Sequence, residues 1–184
     1  MDIRKIGRRL ARKRAFQFVY AMNFREFADK EDVRRAFFEL PEDGPDVAPA
    51  SCRSISRLEA GSTDETDPGG RADQKGDRRA EDREFAARLA MGVYLWLDEL
   101  DGLIRRFSKH WRIERIAKIE LSILRLAVYE MLHEPDIPLR VSINEAVELS
   151  KEFGDEQSFP FVNGILDAVA KAVDHDQLGI HKEF

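Results

Sequence analysis

The chain has a single cysteine, Cys52, in 184 residues. That excludes an internal disulfide and a cysteine-built metal cluster, and it suits a reducing compartment. No apolar run approaches the ~18–20 residues that span a bilayer. The basic N-terminus is not followed by the apolar core of a secretory signal. The expectation is therefore a cytoplasmic protein. Glycine-rich phosphate loops and dinucleotide fingerprints are missing. The four histidines, His110, His133, His175 and His181, do not have metal-motif spacing. His175 between Asp174 and Asp176 reads better as a solvated helix end than as a weak metal site. Cys52 has no partner base nearby in sequence. These absences argue against an enzyme, and no cofactor or metal is expected. Strand-like alternation and internal repeats are missing too.

What is present is charge and helical periodicity. Charged residues make up 35% of the chain and the net charge is −5. The first 14 residues hold seven basic side chains (Arg4, Lys5, Arg8, Arg9, Arg12, Lys13 and Arg14) and one acidic residue, Asp2. The rest of the chain carries the negative charge. A concentrated basic end on an acidic body attracts a polyanion locally while the whole stays soluble.

The spacing predicts a first helix over about Gly7 to Phe27, with Ala11, Ala15, Phe18, Val19 and Met22 facing the core. Arg9, Arg12, Lys13, Phe16 and Tyr20 lie on a neighbouring stripe, so a basic row runs into two aromatic rings. Lys and Arg attract phosphates without reading sequence, and Phe16 and Tyr20 could stack on unpaired bases. A solvated basic tail is the competing reading. A short helix follows Asp29, its N-cap, and ends before Pro41, burying Val33, Phe37 and Leu40.

Residues 41–80 change character. Rich in Pro, Gly, Ser, Asp and Arg, the stretch has few large aliphatics and cannot bury enough apolar surface to offset its conformational entropy. It reads as a mobile insert, with at most a weak helical turn at Ser54–Glu59, between an N-terminal unit (1–40) and a main bundle (81–184) of one domain. Beyond it, Phe85, Leu89, Val93, Leu97, Leu100, Ile104 and Phe107 predict one long helix, within which Gly92 would permit a close crossing. A short helix is expected around Ile113 to Ile116. The next uses Leu121, Leu124, Val128 and Leu132 and stops before Pro135. Ser142-Ile143-Asn144-Glu145 has capping-box spacing, so a helix is expected to start there, burying Val147 and Phe153 and ending at Gly154. A last helix begins near Pro160 and buries Phe161, Val162, Ile165, Leu166, Val169 and Val173. Within it Asn163-Gly164 reads as packing: Gly164 for close approach, Asn163 tied to a neighbouring loop. The fold class is all-α, a bundle of about seven helices in two subgroups.

Three segments carry a family resemblance. Ile123-Leu124-Arg125-Leu126-Ala127-Val128-Tyr129-Glu130 is similar to the L-R-x-A-x-Y-E segment of the NusB family of bacterial transcription antitermination factors. The run from Ile137 to Lys151 resembles its I-P-x-x-V-x-I-N-E-A-V-E-L-A-K segment, and Phe161-Val162-Asn163-Gly164-Ile165-Leu166-Asp167 its F-V-N-G-V-L-D segment. Arg8-Arg9-Leu10-Ala11-Arg12 and Gln17 to Tyr20 look like its arginine-rich first helix. The resemblance covers roughly residues 7–40 and 83–173. It implies an all-helical fold without catalysis. It also implies binding of boxA RNA together with the ribosomal protein NusE, with other antitermination factors and RNA polymerase as indirect partners. By position, Arg8, Arg9 and Arg12 correspond to RNA-contacting arginines, joined here by Lys13 and Phe16 on the same stripe. Phe161 and the loop before it, with Gln157, match another RNA-contacting region. Tyr20 and Glu120 match positions implicated in NusE binding. Gln157 stands where a family member can have an acidic residue, and Leu10 replaces a clustered arginine. A homodimer is a further possibility. Two other readings compete: a helical domain of the kind attached to ribosomal RNA methyltransferases, and a protein-only adaptor whose basic stripe meets an acidic partner.

Overall fold

The computed structural model describes residues 3–40, 72–108, 112–175 and 178–179. Among these there is no strand, and seven α-helices follow in order: α1 (Ile3–Ala21), α2 (Lys30–Glu39), α3 (Ala72–Leu95), α4 (Leu97–Phe107), α5 (Lys118–His133), α6 (Leu139–Phe153) and α7 (Ser158–Asp174). Single 3-10 turns occupy Met22–Phe24 and Ile113–Arg115. The all-α expectation and the number of helices stand. Cys52, His110, Asp176, His181 and the suggested turn at Ser54–Glu59 lie outside the described residues. Helix α3 starts at Ala72, inside the stretch that composition assigns to the insert.

Helix α1 is the pivot. It packs on α3, α5 and α6, so more of its circumference is covered than a one-sided amphipathic stripe needs. Ala11, Ala15, Phe18 and Val19 are buried, as the periodicity predicts, but so are Arg12, Phe16 and Gln17. The helix ends at Ala21, and Asn23 closes it by donating from Nδ2 to the Val19 and Tyr20 carbonyls. Helix α2 starts as expected, with the Asp29 carboxylate accepting the Glu31 and Asp32 amides at 2.9 Å.

The long helix over 85–107 is two. The chain turns at Trp96 (φ −109°, ψ 20°) and resumes as α4. The same apolar spacing continues across this joint, so periodicity alone does not reveal it. Gly92 lies just before it, against α5: a Cβ there would sit 1.9 Å from the Tyr129 ring. The close crossing expected of this glycine is present.

Helix α6 begins at Leu139, after Pro138, not at the capping-box sequence. Ser142 lies one turn inside, buried, and its hydroxyl donates to Glu130 of α5 at 2.7 Å. A buried charge-assisted bond outweighs a local cap, because an ionised acceptor left alone in the interior is costly. One contiguous core includes residues from all seven helices.

Candidate nucleic-acid interface

The basic residues of α1 sort into two kinds. Arg12 is buried, with its Nε 2.7 Å from Glu130, while Glu145 approaches its other end at 4.0 Å. Glu130 thus receives Arg12 and Ser142 together, which ties α1, α5 and α6 into one buried polar knot. Arg12, expected from the sequence as a phosphate contact, has its guanidinium in the interior of this structure. Arg8, Arg9 and Lys13 stay accessible. Arg8 lies over the Phe85 ring at 4.2 Å and 3.8 Å from Asp82. Arg9 donates to Glu148 at 3.0 Å, and Lys13 pairs with Glu152.

The α6 partners are an acidic counter-row that sequence reading left unused: Glu145, Glu148 and Glu152 at three- and four-residue spacing. That spacing is visible in the sequence, but its alignment with α1 is not. Hydrogen bonds from Lys151 and then Arg9 hold the Glu148 carboxyl below the ordinary range, so it stays charged. Between the two rows lies a cleft of about 290 Å³ that also includes Leu10 and Leu149.

Phe16 does not reach this surface. It is fully buried, with its ring 4.8 Å from that of Phe153. The ring expected to stack on bases is thus enclosed, because α6 covers the side of α1 on which it lies. Tyr20, one turn on, is half-buried, and its ring meets that of Phe24 edge-on at 5.3 Å. Phe24 is 63% exposed, with the Lys118 ammonium 3.9 Å from its ring centre. This exposed ring was missed in the sequence, where it reads as the tail of the first helix.

The α6–α7 connection carries the remaining candidates. Gln157 is exposed at the N-terminal end of α7, and Phe161, one turn later, is partly buried against the core. The connection is held by Asp155, whose Oδ1 accepts the Gln157 amide at 2.8 Å and the Ser158 amide at 3.0 Å. Those bonds, the Gln157 amide first, keep Asp155 below the ordinary carboxylate range. Glu120 is not a free surface charge: it is partly buried, its Oε1 accepts the Ser158 hydroxyl, and its Oε2 is buried without a hydrogen-bond partner among the described residues. The packing role expected of Asn163-Gly164 is corrected as well. Asn163 donates to Asp167 on its own helix at 3.1 Å, and a Cβ at Gly164 would meet nothing within 4 Å.

Of the α1 cations, Lys13 lies nearest the α6–α7 connection, 5.3 Å from the Phe153 ring centre at the end of α6. Among the described residues no group of three or more His, Cys, Asp or Glu is arranged to hold a metal, and no helix is long and apolar enough to cross a membrane.

Among the described residues the chain is an all-helical bundle with an exposed row of cations on α1. Similarity to known proteins makes this specific. The NusB family model matches residues 53–171. The chain is 42% identical over 168 residues to the transcription antitermination protein NusB of Oleidesulfovibrio alaskensis, covering 91% of this chain and 90% of that one. It is 38% identical over 178 residues to the NusB of Nitratidesulfovibrio vulgaris strain Miyazaki F, covering 95% and 94%. A solved structure of T. maritima NusB superposes with a TM-score of 0.63 at 30% identity, over 89% of this chain and 90% of that one. The chain belongs to the NusB family of transcription antitermination proteins.

Proposed function

We propose that the protein binds boxA-type single-stranded RNA together with ribosomal protein NusE and so supports antitermination of ribosomal RNA transcription, without catalysing a reaction. The observation that carries this reading is the row of accessible cations Arg8, Arg9 and Lys13 on α1, at one edge of an otherwise acidic molecule. These side chains would hold the RNA backbone by screened attraction, while base choice falls to groups able to touch base edges and faces. Gln157 and Phe161 are the candidates for that role. Arg12 acts indirectly, by holding α1 against α5 and α6. NusE fits the surface around Tyr20, Phe24 and Lys118, where an exposed ring and a half-buried one offer an aromatic anchor. Glu120 serves that surface by holding Ser158 and the α6–α7 connection.

Filter binding with boxA and scrambled RNA, with and without NusE, tests the reading. Wild type should prefer boxA, and NusE should raise the affinity by linkage. Replacing Arg8, Arg9 and Lys13 together by Ala should weaken binding and lower the salt slope by about 0.7 for each phosphate no longer neutralised. Unchanged affinity in that folded variant moves the RNA elsewhere. Phe24→Ala and Tyr20→Asp should reduce NusE capture in a pull-down while the thermal melt of each stays close to wild type. Normal capture by both removes the NusE surface from this end of α1.

A further inference from the structure

Helix α1 is flanked by two grooves of opposite sign, and Leu10, 60% exposed, borders both. Toward α6 the charged lining is Arg9 and Lys13 against Glu145, Glu148 and Glu152, with Arg9 and Lys13 already paired. Toward α3 the charged lining among the described residues is Lys13, Arg14, Arg79 and Arg83 with Asp82. Asp82 is itself met by Arg8 at 3.8 Å. Across distances this short, physiological salt screens little, because the Debye length is about 8 Å. A phosphate approaching α1 therefore competes with three carboxylates for Arg9 and Lys13 on the α6 side, and among the described residues meets fewer competing carboxylates on the α3 side.

We propose that the α1–α3 groove is a second polyanion site, which takes backbone phosphates of the single-stranded RNA that flank the segment gripped by Arg8, Arg9 and the α6–α7 connection. This rests on the RNA-binding reading above and extends it to Arg79 and Arg83. The groove encloses about 430 Å³, within the range of about 300–1,000 Å³ over which pockets take small ligands, so a nucleotide unit fits. Its chemistry suits phosphate. Arg83 donates to the Phe38 carbonyl at 2.8 Å, which fixes the guanidinium, while its Nε is buried without an acceptor among the described residues. The half-buried guanidinium, held in place in this way, keeps its positive charge beside the groove, where it attracts a phosphate. Arg79 is exposed one turn before Arg83 on α3, so two cations follow one strand of backbone. Leu10 offers a base an apolar surface at the crossing.

The test compares a short single-stranded RNA carrying the recognised element with the same RNA lengthened on either side, over a range of salt. The variant is Arg79→Glu, whose exposed side chain leaves the core untouched; Arg83→Gln is the second variant, with a thermal melt to confirm its fold. Lengthening the RNA should strengthen binding to wild type. Arg79→Glu should weaken the lengthened RNA by about three- to tenfold and lower its salt slope by about 0.7 for each phosphate released, with the short RNA nearly unaffected. If wild type binds RNA and Arg79→Glu holds the lengthened RNA with the same affinity and slope, the groove is not a phosphate site and the RNA reading stands. Equal weakening of both RNAs overturns the assignment to flanking nucleotides. If wild type binds neither RNA, both proposals fall together.

Discussion

At the scale of single residues, the contrast between Arg12 and its neighbours matters most. Arg8, Arg9 and Lys13 make exposed or half-exposed pairs, each worth only about 0–1 kcal/mol to the fold. Arg12 is enclosed with Glu130, and removing its guanidinium leaves the buried Glu130 carboxylate with Ser142 but without this cation. Arg12→Ala should therefore cost about 3–5 kcal/mol in a denaturant titration, whereas Arg9→Ala should cost less than about 1 kcal/mol. A small loss at Arg12 would mean that the Glu130 carboxylate finds water or another partner once Arg12 is gone. His133 provides a second residue-scale test. It lies between the Trp96 ring, 4.5 Å away, and the stacked Tyr129 ring at 4.9 Å. Burial there lowers its pKa, and nearby Glu134 only partly opposes the shift. The folded protein thus binds this proton less readily than the unfolded chain does. Its contribution is intact above the ordinary histidine value of about 6.5 and is lost as pH falls from there toward the lower folded value. His133→Phe should flatten that part of the stability profile. An unchanged acid-side slope would place the relevant proton uptake elsewhere.

At the scale of elements, α1 and α6 act as a pair of opposed charge rows. The carboxylates of α6 hold Arg9 and Lys13 in place, but they also compete with phosphate for them. Glu148→Gln combined with Glu152→Gln should raise RNA affinity, with the larger gain for scrambled RNA, because nonspecific attraction grows with net positive charge. The melting temperature should hardly move, since these pairs are on the surface. A fall in affinity would show that the pairs preorganise the cations more than they mask them. Helix α7 offers a complementary test. Gly164 is exposed, helical and free of any neighbour that a Cβ would strike. Gly164→Ala should stabilise the protein by about 0.5–1 kcal/mol through helix propensity. If it also weakens binding of RNA or NusE, the bare backbone there serves a partner's approach rather than the bundle's packing.

At the scale of the whole molecule, residues from all seven helices share one core, and the polar links cross the chain from end to end. Arg125 of α5 makes a bidentate pair with Asp101 of α4 at 2.7 and 2.8 Å and donates to Asn23, just after α1, at 3.0 Å. Arg88 of α3 does the same with Glu134 after α5, at 2.8 and 2.9 Å. The segments before and after residues 41–71 share one core and should therefore unfold together. Calorimetry should give a single transition whose calorimetric and van't Hoff enthalpies agree. Two separable transitions would show that α1 and α2 melt away from the remaining bundle.

The sequence by itself determined the helical class, the core positions spaced by three and four, the Asp29 cap and the basic end of α1. Each is a local property: periodicity, cap chemistry and charge density act within a turn or two of chain. The family was legible for the same reason, as three short segments in order. What only the tertiary structure decided is which members of a stripe face water. Arg12 and Phe16 share a stripe with Arg9 and Lys13, yet α5, α6 and Phe153 enclose the first two and leave the others at the rim. Ser142 had the spacing of a cap and became a buried donor, because Glu130, twelve residues earlier, needed one. The break at Trp96 and the acidic row facing α1 were hidden likewise. Burial and electrostatics depend on which helix lies alongside, and no periodicity within one helix encodes its neighbour.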